Sequence, residues 1–294
     1  MTILERGYRQ LVYTPTPMRT RLWSIVAIEW KSLFKTKWGL FAFLLCALPS
    51  IASLLLLLIR FGLWEFGPPQ MRQDQGESRA NPFSIRFYLD PILRESYLPF
   101  LLITTLVSCR CVAKDRTAGG LELLWTRAIS PWGYFLAKWS GSITLLGTLF
   151  LGCPLALWVI GVFMADDWSL LEKTAPLMPS FAIAMVLLVT ILTFLATAFS
   201  VFAGTPGFAS MLWLGLILGT FAAGTLLGRI FPDLAWLLAI NPWDAAKRIA
   251  EWICGVPRLR DYPVGAAILT LGIMVFGSFL ALLKKLRTEE ALAS

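Results

Sequence analysis

The sequence predicts an all-α integral membrane protein, and three observations lead to that fold class. Of its 294 residues, 57% are hydrophobic and only 15% are charged, whereas about a quarter of the residues in soluble domains are charged. Apolar stretches of about 20 residues recur, which is the length that a helix needs to cross a bilayer. These stretches do not alternate between apolar and polar residues as barrel strands do, so we expect helices.

The N-terminal part predicts a tail followed by a helix that lies on the membrane. Residues 1–17 contain charges and prolines but no apolar core, so we expect a cytoplasmic tail and not a signal peptide. Residues 18–37 form an amphipathic pattern with spacings of three and four. We expect this helix to lie in the membrane interface, with its apolar stripe toward lipid; a solvated helix packed on the protein is the alternative. The stripe consists of Leu22, Val26, Trp30, Leu33 and Phe34.

The remaining residues, 38–294, predict a six-span transmembrane domain. The spans are expected at about 38–59, 92–112, 134–164, 177–202, 208–231 and 264–283. Segment 232–263 contains an apolar run too short to cross, followed by an Asn-Pro turn that can cap a short helix. We expect it to be re-entrant or extracytoplasmic.

Basic residues predict the orientation of these spans. Lys and Arg concentrate before the first span, between the second and third, and after the sixth, so both termini should be cytoplasmic. The bases of 232–263 would then lie outside, against the pattern. We therefore interpret the net charge of +8 as a topology signal and not as a nucleic-acid footprint. The expected location is a cell membrane, most simply a bacterial inner membrane.

The composition argues against chemistry performed by this chain alone. It contains no histidine, which removes His-based general bases, Ser-His triads and nearly all zinc sites. It has no G-x-x-x-x-G-K-[ST] phosphate loop. No ionisable side chain or broken helix is evident at the middle of a span, although secondary carriers usually need one. We expect no catalytic, cofactor or metal site, and the Cys109–Cys111 pair is interpreted as ordinary thiols.

The loop at 113–133 carries the most informative pattern. A pair of glycines, Gly119 and Gly120, should end the helix of the second span. The following residues form a short apolar ridge with charged flanks, which suits a groove on a partner protein. The alternative is a loop helix that packs only on its own chain. The ridge consists of Leu121, Leu124 and Ala128, and Glu122 and Arg127 flank it.

Segment 115–138 resembles the cytoplasmic loop between the second and third spans of ABC-2-type transporter permeases. The family pattern is similar to [DE]-R-x-x-G-T-L-E-x-L-L-x-x-P-[IV]-S-R with a Lys seven residues further on. This chain departs from it at Gly120, Ala128 and Pro131, where Thr or Ser, Pro and Arg are usual. It matches at Asp115, Arg116, Gly119, Leu121, Glu122, Leu124, Ile129, Ser130 and Lys138.

Two further places resemble the same family. Segment 27–38 is similar to the helix that precedes the first span, with Glu29 at the family's glutamate and Lys35 and Lys37 at its basic end. The six-span plan with an Asn-Pro turn, Asn241-Pro242, before the last span is also similar.

The resemblance implies a permease subunit with an N-terminal elbow helix and a cytoplasmic coupling helix. It implies two partners: ABC ATPase subunits, which would bind ATP and Mg²⁺, and a second permease subunit, identical or related. Membrane lipid surrounds it, and the chain itself would be no enzyme. The residues implied for ATPase docking are Gly119, Gly120, Leu121, Glu122, Leu123, Leu124 and Arg127, and those for the elbow helix are Leu22, Val26, Glu29, Trp30, Leu33 and Phe34.

Two alternatives to this function stay open at this point. One is an ATPase-coupled scaffold or mechanotransmitting subunit without a solute pathway of its own. The other is an ATP-independent secondary carrier.

Overall fold

A computed structural model describes residues 18–62, 82–119, 130–165, 168–231, 238–256 and 262–293 of the chain. Within these ranges the secondary structure is helical, with turns and no strand. The expected N-terminal tail, 1–17, lies outside the described residues.

The described residues form twelve α-helices, some of them separated by segments that lie outside the described ranges. In chain order they are α1 Met18–Lys35, α2 Lys37–Gly62, α3 Ile85–Asp90, α4 Tyr97–Leu106, α5 Cys111–Thr117, α6 Pro131–Gly147, α7 Cys153–Met164, α8 Ser169–Thr174, α9 Met178–Phe202, α10 Pro206–Ile230, α11 Pro242–Ile253 and α12 Val264–Ala293.

Six helical segments are long and apolar enough to cross a membrane, as the sequence predicts. Their bounds are Lys37–Ile59, Tyr97–Thr117, Pro131–Met164, Leu170–Phe202, Pro206–Ile230 and Val264–Thr288. The expected boundaries differ by a few residues at several ends, and local structure gives the reasons.

The second span begins at Tyr97, and not at residue 92, because the chain is differently wound before it. α3 occupies Ile85–Asp90, and Pro91–Glu95 forms a π-helical turn. The Ser96 hydroxyl donates to the Pro91 carbonyl at 2.8 Å within this turn. The third span begins earlier than residue 134 because Ser130 caps it: the Ser130 hydroxyl accepts from Gly133 N, and Pro131 takes the first helical position.

One end of the bundle, which we call the base, brings together α1 and one end of each of the six spans. Arg116 of α5 donates to the carbonyls of Val201 and Ala203 at 2.8 and 3.1 Å. The Trp132 ring of α6 lies 6.0 Å from that of Phe279 in α12. The chain crosses the bundle six times between α1 and the C-terminal part of α12. Because six is an even number, these two elements lie at the same end.

α11 enters the bundle from the opposite end. Its N-cap residue, Asn241, donates from its side-chain amide to the carbonyl of Ile217, near the middle of α10, at 2.9 Å. The Trp243 ring lies 4.8 Å from that of Phe100 in α4. The described start of the expected 232–263 helix therefore packs between α4 and α10, inside the bundle.

α9 is the central helix of the bundle. It contacts α6, α11 and α12, and 67% of its span is buried, against 17% for the spans of α10 and α12. Side chains such as Phe181, Leu188 and Leu192 are completely buried. The weakly buried spans leave apolar faces outward, as expected for helices that lie against lipid.

Candidate functional site

α1 lies directly against α6 at the base. Val26 and Leu33 are buried to 5% exposure, and the Trp30 indole donates to the Thr144 hydroxyl at 3.1 Å. The two helices are in contact there: a Cβ on Gly141 would lie 3.4 Å from the Glu29 side chain, an ordinary van der Waals distance.

The orientation of α1 differs from the sequence expectation. Val26 and Leu33 of the predicted lipid-facing stripe face the protein, and the outward surface carries Trp23 and Ile28, at 67% and 59% exposure. Phe34 is exposed, whereas the Leu22 side chain lies outside the described part of the chain. Two members of the apolar stripe, Val26 and Leu33, therefore serve helix packing.

The turn from α1 to α2 is closed by local hydrogen bonds. The Thr36 hydroxyl donates to the Leu33 carbonyl at 3.0 Å and accepts from Gly39 N at 3.2 Å. A Cβ on Gly39 would lie 2.4 Å from the Leu33 oxygen, which is closer than such atoms can approach. Glycine is therefore required at position 39 for this turn.

A buried cluster of charges joins three elements at the base. Lys138 of α6 donates to Glu29 of α1 and, at 2.7 Å, to Asp115 of α5. The Tyr134 hydroxyl donates to the same Asp115 oxygen at 2.5 Å. The Lys138 side chain is only 4% exposed, and the Glu29 and Asp115 side chains are 12% and 29% exposed.

This arrangement makes the lysine dependent on its partners. An ammonium group removed from water is costly unless opposite charges and hydrogen bonds surround it, and here two carboxylates do so. The cluster therefore holds α1, α5 and α6 in one relative position. α5 and α6 flank the 120–129 segment in the chain, so the same three residues fix both ends of that loop.

The cluster forms one wall of a pocket of about 300 Å³. The pocket lies between α1, the start of α2 and the end of the second span. Besides Glu29, Asp115 and Lys138, its lining includes Ser32, Thr36, Trp38, Gly39, Arg110, Cys111 and Lys114.

The residues expected to dock an ATPase lie almost entirely outside the described residues. These are Gly120, Leu121, Glu122, Leu123, Leu124 and Arg127. Gly119 is described: α5 ends at Thr117 and Gly119 follows with φ of 68°, a left-handed conformation that favours glycine. The resemblance named Glu29, Asp115 and Lys138 singly, and the structure brings these three together. Tyr134 was not singled out, because a tyrosine at a span end has many ordinary roles.

The opposite end contains buried charges whose position inside the bundle is not predicted from the sequence. Arg248 and Glu251 of α11, with side chains 5% and 3% exposed, lie 3.7 Å apart. The Arg248 guanidinium also donates to the Tyr262 carbonyl at 3.3 Å, and the Tyr262 hydroxyl donates to the Asp244 carbonyl at 2.8 Å. The spacing of Asp244, Arg248 and Glu251 on one helical face was the available signal.

Metal-ligating groups and thiols add no further centre among the described residues. No cluster of three or more cysteine or acidic side chains there could hold a metal ion. Cys254, which follows α11 outside the six spans, is buried, and burial raises its pKa to about 11.

No protein-family model matches the chain, and no curated protein matches it.

Proposed function

We propose that the protein is the permease subunit of an ABC-2-type transporter, a membrane subunit that works with separate ABC ATPase subunits and a second permease subunit. The observation that carries the proposal is the buried cluster of Glu29, Asp115 and Lys138. A loop that receives force from a partner must be anchored at both ends, or the force dissipates in the loop. Here α5 and α6, the helices on either side of 120–129, are joined to each other and to α1.

The mechanism that follows is mechanical and uses no chemistry of this chain. ATP binding would bring two ATPase subunits together, and segment 119–128 would move with the ATPase that it contacts. Because Lys138 bonds to both Asp115 and Glu29, α5, α6 and α1 would move as one body. The second and third spans would transmit this movement to a pathway between two permease subunits. The permease itself would contribute neither ATP nor Mg²⁺ ligands.

The test begins with isolation of the complex. The tagged full chain, extracted in mild detergent from its native membrane, should co-purify with an ABC ATPase identified by mass spectrometry. Leu124→Arg should abolish this association, since it places a charge on the apolar ridge of the loop. The matched control is Trp168→Arg at the other end of the bundle, where Trp168 is 67% exposed. Equal recovery of the ATPase with wild type and Leu124→Arg would contradict the docking role of the loop.

A scaffold or mechanotransmitting subunit is the second candidate, favoured by the packing of the interior. Phe181, Leu188, Leu192 and Trp213 are completely buried, and apolar side chains fill the space between the spans. A solute pathway would therefore have to form between subunits. Cross-linking of two permease copies, followed by measurement of ATP-dependent efflux in proteoliposomes, separates the two candidates.

The ATP-independent carrier is favoured by one feature, the buried Arg248 and Glu251 on α11, a helix packed inside the bundle. Ionisable side chains on interrupted helices at mid-depth are typical of secondary carriers. A variant of the co-purified ATPase that cannot hydrolyse ATP distinguishes this carrier from an ABC transporter subunit. Loss of cellular function with that variant supports the ABC assignment, and full function without hydrolysis supports the carrier.

A further inference from the structure

The mouth of the pocket at the base carries bases that the buried cluster does not use. Lys138 is enclosed by Glu29 and Asp115, whereas Arg110 and Lys114 are exposed at the rim. Among the described residues, Arg110 has no ion-pair partner, and Lys114 makes only a long 3.4 Å hydrogen bond to Ser32.

The lining as a whole is positive, although it includes two acids. Three bases, Arg110, Lys114 and Lys138, stand against Glu29 and Asp115, which leaves a net charge of +1. Exposed Lys35 and Lys37 lie beside the pocket at the α1–α2 turn and add to this field. The pocket therefore favours an anion, and the Ser32 hydroxyl, which accepts from Lys114, can donate to an oxygen acceptor.

The position of the pocket places it at the boundary of the membrane. It lies where the first span begins, at Lys37, and where the second ends, at Thr117. Trp38, at 75% exposure, lines it, and an exposed apolar row on α2 continues from there with Phe41, Leu44 and Leu48. A polar pocket thus opens onto an apolar track that runs into the bilayer.

We propose that this pocket binds the phosphate headgroup of an anionic phospholipid. Arg110 and Lys114 would contact the phosphate, Trp38 would lie at the headgroup level, and one acyl chain would follow Phe41, Leu44 and Leu48 along α2. A volume of about 300 Å³ is at the lower end of the range of small-ligand pockets, and it accommodates a headgroup but not a whole lipid. The proposal does not rest on the transport function, since it needs only that the base faces an anionic leaflet.

The experiment measures lipid retained by the purified full chain. Native mass spectrometry in detergent, with equimolar phosphatidylglycerol and phosphatidylcholine, reports which lipid is retained first. Wild type should prefer phosphatidylglycerol, and the double variant Arg110→Gln/Lys114→Gln should lose about 30-fold in that preference, at roughly fivefold for each base. The matched control is Lys284→Gln/Arg287→Gln, which removes the same charge from exposed sites at the same end of the bundle. It should change the preference by less than about threefold.

A second measurement, of the melting temperature, distinguishes lost lipid binding from a folding defect in the variants. Phosphatidylglycerol should raise the melting temperature of wild type and of the control more than phosphatidylcholine does, because a ligand stabilises the folded state that binds it. The charge-preserving Arg110→Lys should retain this effect, and the double variant should lose it.

Several outcomes would overturn the proposal. Equal loss in the double variant and in the Lys284→Gln/Arg287→Gln control would show only a general attraction of the basic end. Competition by inorganic phosphate or glycerol phosphate at similar concentration would assign the pocket to a soluble anion. Equal binding of both lipids by wild type would remove the site. Failure of the transport proposal, by contrast, would leave the lipid result unchanged.

Discussion

The two ends of the bundle bury charges in different ways. At the base, Lys138 pairs with Glu29 and Asp115, so that α1, α5 and α6 each contribute one member. At the opposite end, Arg248 pairs with Glu251 three residues further along the same helix, α11. The first arrangement depends on the relative positions of three elements, whereas the second travels with one helix wherever it lies.

The Lys138 cluster is therefore sensitive to relative movement of the helices, whereas the Arg248–Glu251 pair only neutralises charge within one helix. A shift of α5 against α6 would break the pairing of Lys138 with Asp115, at a cost set by the buried charges left behind. A shift of α11 would leave Arg248 and Glu251 together, and only its hydrogen bonds to other elements would change. We therefore expect the base to move as a unit and α11 to be able to move alone.

The largest effect is expected from removing the lysine at the base. Lys138→Met leaves Glu29 and Asp115 buried without their cation, which should lower the free energy of unfolding by about 5 kcal/mol. The measurement is chemical unfolding of the purified chain in detergent. The triple variant Lys138→Met/Glu29→Gln/Asp115→Asn removes all three charges and should recover most of the loss. A single variant as stable as wild type would show that the cluster does not join these elements.

The next effect tests the opposite end. Arg248→Met removes the buried ion pair with Glu251 and the bond to the Tyr262 carbonyl, so the free energy of unfolding should fall by about 3 kcal/mol. Hydrogen exchange should increase in α11 and in the segment that holds Tyr262, and not in α1. In a double-mutant cycle, Arg248→Met and Lys138→Met should be additive within about 0.5 kcal/mol. Strong coupling would contradict the independence of the two ends.

Thiol labelling should distinguish the two ends by their sides of the membrane. Trp168→Cys, at an exposed position of the opposite end, should react with an impermeant maleimide on intact cells, whereas Ala118→Cys at the base should react only after permeabilisation. Native Cys254 should be a poor reporter: burial raises its pKa to about 11, so the thiolate fraction at neutral pH is about a hundredfold below that of a free thiol. Its labelling should accelerate steadily as pH rises toward 11. Reaction of Ala118→Cys from outside would reverse the proposed orientation.

The smallest effect concerns the turn that positions α1. Gly39→Ala would place a methyl group 2.4 Å from the Leu33 carbonyl, so the turn must open, at a cost of about 1–3 kcal/mol. Gly272→Ala is the matched control, since a Cβ there meets nothing within 4 Å. It should be neutral or slightly stabilising, because alanine favours the helix. The same loss from both substitutions would mean that the turn is not the cause.

The parts of the fold that depend on local composition could be predicted from the sequence. The six spans are the clearest case, because a run of about 20 apolar residues has few other stable conformations in a membrane protein. Boundaries were less accurate where a single residue changes the winding, as at Ser130, whose cap begins the third span at Pro131.

The candidate site could be predicted only in part, because its members are distant in the chain. Glu29 and Lys138 are 109 residues apart. No local sequence pattern predicts that the helices that carry them pack together. α11 was missed as a buried element for a related reason: Asp244, Arg248 and Glu251 make it polar in sequence. Its buried charges are stabilised inside the bundle by hydrogen bonds to neighbours that are distant in sequence, such as the Tyr262 carbonyl.

The separation of Glu29 from Lys138 also has a consequence for how the protein is made. Synthesis proceeds at about 5–20 residues per second, so the ribosome needs roughly 5–20 s to advance the 109 positions from Glu29 to Lys138. During that interval the first two spans can enter the membrane. Glu29 cannot yet pair with Lys138, so α1 is not yet held by this ion pair. The third span, on arrival, brings Lys138 to the base and closes the cluster. The order of synthesis thus leaves the attachment of α1 until half of the spans are in place.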